Sequence, residues 1–387
     1  MARQLYSAQA SPFAAPTVGG GGCAAGAVVA RARGFTDNGI MSYPPVPIPG
    51  THLRELHSDN TGRGYELFVT PPANPEPGVK YPTVYLLDGQ WDFKMMDSVY
   101  GGLHYDKFVP QMIIVGISNA GANPDHGSLR AMDYTPVCPE GETGFGGGAK
   151  FLRFLADELI PFVEAEYPAD PTDRAICGAS FGGLFTFYAL FAAPELFPRH
   201  ISISPAVDFA DSSIMRIEEE YAASHRALNA RVYVAMGGLE NRSYAIDPAK
   251  RLYDQITSRG YEGLQISWNV IEGERHSGVK SEGFNRGLRE VFSRPVVALS
   301  DDLMDALVGT YDFKDADSEV IITRDGDRLL ATFGFDPDHP DVLLPHSDTE
   351  LSCRAEPVLV RIDRVSDGTV ESLWVSTPEG ECTLPRK

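Results

Sequence analysis

Short runs of apolar and β-branched residues recur along the chain from Tyr65 onward: Tyr65–Thr70, Thr83–Leu87, Met112–Ser118, Arg174–Cys177, His200–Ser204, Arg231–Met236 and Leu264–Ile271. Each reads as a strand. Between the later runs, apolar positions return at helical spacing over Gly148–Tyr167, Gly182–Ala192, Ile214–Ala227 and Asp247–Arg259, with a further helix over Glu282–Phe292. Pro161 falls inside the first of these and predicts either a kink or its last turns. Strands and helices alternating at this length imply a mainly parallel sheet covered by helices on both faces. The expected fold class is therefore α/β.

After Arg294-Pro295 the pattern changes to short strands, Val320–Thr323, Arg328–Phe333, Leu359–Val365 and Val370–Val375, separated by turns such as Asp325-Gly326 and Asp367-Gly368. Beyond a short lead-in, no helix is expected there. This predicts a small antiparallel β unit. At the other end, Met1–Gly34 shows neither helical nor strand period and contains four consecutive glycines, Gly19–Gly22. Its apolar run at Ala24–Ala30 is short for a signal-peptide core, Cys23 lacks a lipoprotein context, and Met41 is an alternative start. Three regions follow: a poorly ordered leader over residues 1–40, an α/β domain over 41–295 and a small β domain over 300–387.

Charge removes some function classes. Fifty-three acidic and thirty-three basic residues give a formal charge of −20, and only 8 of the basic residues are Lys. Phosphate binding needs a basic face, so no nucleic-acid partner is expected. No stretch approaches the apolar length of a membrane span. The five cysteines, Cys23, Cys138, Cys177, Cys353 and Cys382, have no C-x-x-C spacing, which excludes a zinc ribbon and a disulfide scaffold. A reduced set of thiols fits a cytoplasmic location; export, with Cys353 and Cys382 paired, is the alternative.

The chemistry concentrates at Gly178-Ala179-Ser180-Phe181-Gly182. A G-x-S-x-G pattern arises by chance roughly 0.2 times in a chain of this composition, so the pattern alone says little. Its setting says more. The strand run Ala175–Cys177 leads in and the helical run from Leu184 leads out, as a nucleophile elbow requires. Gly116-Ile117-Ser118 also follows a strand run but lacks the second glycine and leads into a polar loop with no helix. Ser118 is read as a strand-end residue.

A serine nucleophile needs a base, and in this type of site the order along the chain is Ser, acid, His. Of the nine histidines, only His276, His339 and His346 follow Ser180 and a plausible acid, and the last two lie in the β unit. His276 follows the strand run Leu264–Ile271, in a loop expected at the active edge of the sheet. The acid should come from the loop after Arg231–Met236, where Glu240 is the first choice and Asp247 the alternative; a Ser–His dyad alone is a third arrangement. An oxyanion site needs two backbone N–H groups, expected from Phe181 and from Gln90 in Leu87-Asp88-Gly89-Gln90. No metal ligand set is recognised.

Four stretches carry a family resemblance: Tyr85–Gly89; Arg130–Pro136; Phe151–Phe154 with Glu158–Pro161; and Gly178–Leu184 through Ile203-Ser204-Pro205. Over roughly residues 50–293 the chain resembles the esterase D / enterochelin-esterase-like family of α/β hydrolases. The resemblance implies an α/β-hydrolase fold and a cofactor-free serine hydrolase acting on small-molecule esters, with Ser180 as nucleophile, His276 as base and Glu240 as acid. Two points qualify it. The Trp-rich segment common after the Ser-Pro motif is replaced here by Val207-Asp208-Phe209, and some siderophore-cleaving relatives use only Ser and His. The C-terminal unit more weakly resembles β domains appended to some serine hydrolases, through Leu307–Tyr311 and Leu343–His346.

The implied reaction is hydrolysis of a carboxylic ester through an acyl-enzyme. The alternatives are acyl transfer on the same fold, a narrow siderophore- or feruloyl-type ester hydrolase, and a non-catalytic binding scaffold. The Gly-rich loop Val137–Gly148 reads equally as a mobile lid or pocket wall and as a disordered surface loop.

Overall fold

The structure, a computed structural model, describes residues 47–313, 318–366 and 368–387. The expected leader, Cys23, Met41 and the Asp367 half of the Asp367-Gly368 turn lie outside the described residues.

The first sheet is built in chain order from β1 (His52–Ser58), β2 (Arg63–Thr70), β3 (Tyr81–Leu86), β4 (Ile113–Asn119), β5 (Ala169–Ala179), β6 (Arg199–Ile203), β7 (Ala227–Gly237) and β8 (Glu262–Ile271). Its spatial order is β1-β2-β4-β3-β5-β6-β7-β8. β1–β2 and β2–β4 are antiparallel and every later neighbour is parallel. The inner parallel strands are buried on both faces, which is why β4 reads as the uninterrupted apolar run Ile113–Ile117. β1 is an edge strand of mostly polar residues and has no such run.

The helices are α1 (Gly89–Tyr105), α2 (His126–Tyr134), α3 (Gly148–Phe154), α4 (Ile160–Glu166), α5 (Phe181–Ala192), α6 (Phe209–Ser224), α7 (Asp247–Arg259), α8 (Val279–Val291) and α9 (Asp301–Leu307). Phe93 and Met96 of α1 and Phe284 and Leu288 of α8 cover one face, packing with Ile201 and Tyr233. On the other, Phe151 and Val163 flank Phe185 of α5, while Leu184 of the same helix packs with Leu252 of α7. Alternating side chains of each strand thus feed two cores, as an α/β layer architecture demands.

The predicted helix Gly148–Tyr167 is α3 and α4 joined through a π-helical turn at Leu155–Leu159. Pro161 has no N–H to give to the preceding turn, and the widened turn just before it absorbs that loss, so the helix runs on to Glu166. A second finding corrects the sequence reading. The polar loop after Ser118 does lead into a helix, α2, which Asp125 caps by accepting the Ser128 N–H at 3.2 Å. Ser118 itself lies buried in β4. The helix predicted over Ile214–Ala227 begins earlier and ends at Ser224, because Ala227 already belongs to β7; its first turn, Ala210–Ser212, is left-handed with φ of 51–54°.

The C-terminal sheet is an antiparallel meander of β9 (Gly309–Phe313), β10 (Ser318–Asp325), β11 (Arg328–Phe333), β12 (Asp336–Pro345), β13 (Glu350–Cys353), β14 (Leu359–Ser366), β15 (Thr369–Thr377) and β16 (Gly380–Pro385). It curls until its ends meet, with Tyr311 bridging Arg386 and Lys387 N–H donating to Thr310 O at 2.9 Å. The interior is filled by Tyr311, Val320, Leu343, Leu373 and their neighbours, closed by Met304 and Leu307 of α9. Cys353 is a buried free thiol on β13. No helix among the described residues is long and apolar enough to cross a membrane.

Candidate active site

Ser180 sits between β5 and α5 with φ 60° and ψ −118°, a conformation few non-glycine residues adopt. The turn is held by Ser180 N–H donating to Ile203 O at 2.9 Å and by Ala206 N–H donating to Ser180 O at 3.1 Å. The turn is also very tight. A β-carbon at Gly178 would lie 2.6 Å from the Gly182 carbonyl, so only glycine lets the strand pass the helix start this closely. Strain stored at such an elbow keeps the serine hydroxyl off the helix axis, at the C-terminal edge of a central strand.

His276 lies in the loop between β8 and α8, and its Nδ1 is 2.7 Å from Glu240 Oε2. Glu240 comes from the loop after β7, where Glu240 N–H donates to Gly237 O at 3.0 Å and Leu239 N–H donates to Glu274 O at 2.9 Å. The first bond closes the Glu240 loop on itself and the second ties it to the His276 loop. The other oxygen, Oε1, accepts the Ser204 hydroxyl at 2.5 Å and the Gly237 N–H at 2.7 Å. Burial works to raise the Glu240 carboxyl, but the hydrogen bonds from His276, Ser204 and Gly237 outweigh it and hold the group below its ordinary value. The Glu240 carboxylate is almost fully covered while the His276 side chain is half exposed.

Asp247 is turned to solvent and pairs with Arg242 at 3.1 Å, away from the imidazole. Of the remaining late histidines, His339 bonds Asp336 at the surface, and His346 lies between Pro295 O and Ser352 Oγ. No hydrogen bond joins Ser180 Oγ to His276 among the described residues. Such contacts are often open without substrate and tighten in the complex.

Gln90 and Phe181 occupy the first turns of α1 and α5, where helix geometry leaves their N–H groups without an intrahelical acceptor. The loop before α1 approaches β4 so closely that a β-carbon on Gly89 would lie 2.7 Å from the Gly116 carbonyl carbon. Asp88 precedes it in a left-handed conformation, φ 56°.

Sequence reasoning missed three neighbours. Ser204, also at positive φ (43°), supports the acid. Arg130 on α2 pairs with Asp88 through two bonds of 2.8 Å. Lys280 on α8 pairs with Asp92 of α1 at 2.6 Å. The signal for the first two lay in the family motifs around Arg130 and Ser204. Beside the elbow, Phe181, Phe145 and Phe209 form a cluster with ring centroids 5.3–6.4 Å apart. The end of the loop carrying Phe145 is pinned by Gly146 N–H to Thr135 Oγ1 and Gly147 N–H to Met132 O, both 2.8 Å. A cleft of about 1390 Å³ lies instead at the opposite ends of the strands, beside the β unit. Cavity size alone does not point to Ser180.

A mainly parallel sheet, a strained serine at a strand–helix elbow and a histidine–carboxylate pair in the following loops define an α/β hydrolase of the serine type. The chain matches the family described as "Putative esterase" over residues 58–277, more than half its length, and it belongs to that family. It is 30% identical over 276 residues to the ferri-bacillibactin esterase of Bacillus subtilis, covering 67% of this chain and 93% of that one. It is also 30% identical over 174 residues to the siderophore triacetylfusarinine C esterase of Aspergillus fumigatus, covering 42% of this chain and 58% of that one. Among solved structures, an IroE-like serine hydrolase from Shewanella oneidensis superposes with a TM-score of 0.56 at 25% identity, covering 63% of this chain and 80% of that one. The protein is a carboxylic-ester hydrolase.

Proposed function

We propose that the chain cleaves a siderophore-type ester through an acyl-enzyme, with Ser180 as nucleophile, His276 as general base and then acid, and Glu240 orienting the imidazole. The observation that carries the assignment is the 2.7 Å bond between His276 Nδ1 and Glu240 Oε2. It makes Nδ1 the protonated nitrogen facing the carboxylate, leaving Nε2 to take the Ser180 proton. Ser180 Oγ attacks the ester carbonyl, and the Gln90 and Phe181 amides bind the oxyanion. Collapse expels the alcohol, which receives its proton from His276 Nε2. Water, activated by the same nitrogen, then releases the acid and frees Ser180. The half-exposed imidazole gives water ready access, which favours hydrolysis over acyl transfer.

The substrate class rests on the names of the two relatives above and on the aromatic wall of Phe145, Phe181 and Phe209. The test is hydrolysis of p-nitrophenyl butyrate, ferri-bacillibactin and triacetylfusarinine C by wild type and Ser180→Ala. Turnover of a siderophore ester by wild type alone is expected. A folded Ser180→Ala protein that still turns over would overturn the mechanism; p-nitrophenyl butyrate turnover without siderophore turnover would overturn the substrate class.

A further inference from the structure

The two expected oxyanion amides come from segments far apart in the chain, Gln90 at the start of α1 and Phe181 at the start of α5. One side chain touches both segments. Arg130 Nε and Nη2 donate to the two oxygens of Asp88, each at 2.8 Å, and Nη2 also donates to Ala179 O at 3.1 Å. Asp88 stands two residues before Gln90, and Ala179 immediately before Ser180. The guanidinium is enclosed by rings, its centre 5.4 Å from Phe181, 5.7 Å from Trp91 and 5.6 Å from Tyr134. Trp91 and Phe181 each belong to one of the same two segments. Tyr134, from the α2 of Arg130 itself, accepts the Asp88 N–H at 3.2 Å.

Charge adds a second argument. Asp88 is buried, and a β-carbon at Gly182 would sit only 3.5 Å from its Oδ2. A carboxylate this close to the elbow opposes the negative charge that develops on the substrate oxygen, and bidentate pairing with a guanidinium cancels it. The Arg130 side chain is itself mostly buried, so solvent screens the pair little. Burial works to lower the Arg130 value, but the pairing with Asp88 outweighs it and keeps the guanidinium cationic.

We infer that Arg130 is the positioning residue of the oxyanion site: it fixes the α1 loop against the elbow and neutralises Asp88 beside the developing charge. The inference rests on the reading that Gln90 and Phe181 supply the oxyanion donors. It predicts a defect in transition-state binding with ground-state binding spared.

The experiment compares wild type, Arg130→Gln, Arg130→Lys and the double variant Asp88→Asn/Arg130→Gln. Three quantities are read beside thermal melting: kcat and KM on p-nitrophenyl butyrate, the inhibition constant of a trifluoromethyl ketone, and the rate of phosphonylation by a fluorophosphonate. For Arg130→Gln, kcat should fall about 100-fold, the loss typical of one oxyanion donor, with KM within about threefold. Ketone affinity and phosphonylation rate should fall in parallel. Lysine keeps the charge but not the fork, so Arg130→Lys should recover only part of the loss. The double variant removes both charges and should regain melting temperature and the part of kcat lost to the uncancelled Asp88 charge, while the part lost with the clamp stays lost. A folded Arg130→Gln, or a folded double variant, with kcat and ketone affinity within about threefold of wild type would overturn the inference. Failure of the underlying reading looks different: wild type would then show no Ser180-dependent turnover or phosphonylation at all.

Discussion

Ser204 donates its hydroxyl to Glu240 at 2.5 Å, on the carboxylate oxygen that His276 leaves unused. The Ser-Pro segment after β6 is thereby joined to the acid after β7 and the histidine after β8. Three successive strand ends converge on one carboxylate, and most of its accepting positions are filled by fixed donors. A carboxylate so held cannot swing away from the imidazole.

Glu240→Gln should lower kcat by about 10⁴-fold, in the range seen when a triad acid loses its charge, while Asp247→Asn should stay within about twofold of wild type. Steady-state kinetics on p-nitrophenyl butyrate distinguish the two. Equal losses in both would mean that the acid assignment is wrong.

Ser204→Ala removes one support and leaves the His276 bond in place. A fall in kcat of about tenfold is expected, with stability reduced by roughly 1.5–3 kcal/mol, the range for a hydrogen bond to a charged group. An unchanged kcat with lowered stability would restrict Ser204 to a folding role.

Gly89→Ala brings a β-carbon against the β4 backbone, which cannot move aside as a flexible side chain would. Destabilisation of about 2–3 kcal/mol is expected from overpacking, together with lost turnover as the Gln90 amide shifts. Urea melts and kinetics on the same preparation test both parts.

His200, in β6, is buried between Thr186 O and Phe197 O, at 3.0 and 2.8 Å. Burial lowers its imidazole from 6.5 to about 4, although the two carbonyls pull the other way. Because the folded value is the lower one, the unfolded chain takes up its proton first. The stability contribution is complete above about pH 6.5 and drains away as the pH falls toward 4, by about 3 kcal/mol. Against His200→Gln, the wild-type advantage in urea melts should shrink by that amount between about pH 7 and pH 4. A constant gap would show that His200 does not titrate in this window.

The site was legible where local pattern and chain order carry it. Ser180 stood out because its glycines lie between a β run and a helical run, and His276 because it alone of the late histidines follows a strand of the α/β domain. Sequence placed Glu240 ahead of Asp247, though both lie after the same strand; the fold turns Glu240 inward onto His276 and pairs Asp247 with Arg242. Arg130 and Asp88 meet across 42 residues, a distance no local pattern spans. The helix α1 went unrecognised although Phe93, Met96, Tyr100 and Leu103 keep helical spacing, because Gly101, Gly102 and polar residues break up the run. In the C-terminal unit, β9, β12, β13 and β16 were missed, β12 because its first half, Asp336–Pro340, is exposed and β13 because it is only four residues long.

The bridge between Tyr311 and Arg386 brings the first strand of the C-terminal sheet against the tail that follows its last. A meander that curls back on itself in this way leaves few vacant N–H and C=O groups to template a strand from a second molecule. The first sheet does end in two such rows, at β1 and β8. β1 carries His52, Arg54, Glu55 and His57 along its edge, charged and polar side chains that discourage intermolecular pairing. Two devices against edge pairing thus occur within one chain, closure in the C-terminal unit and polar side chains along the β1 edge of the first sheet.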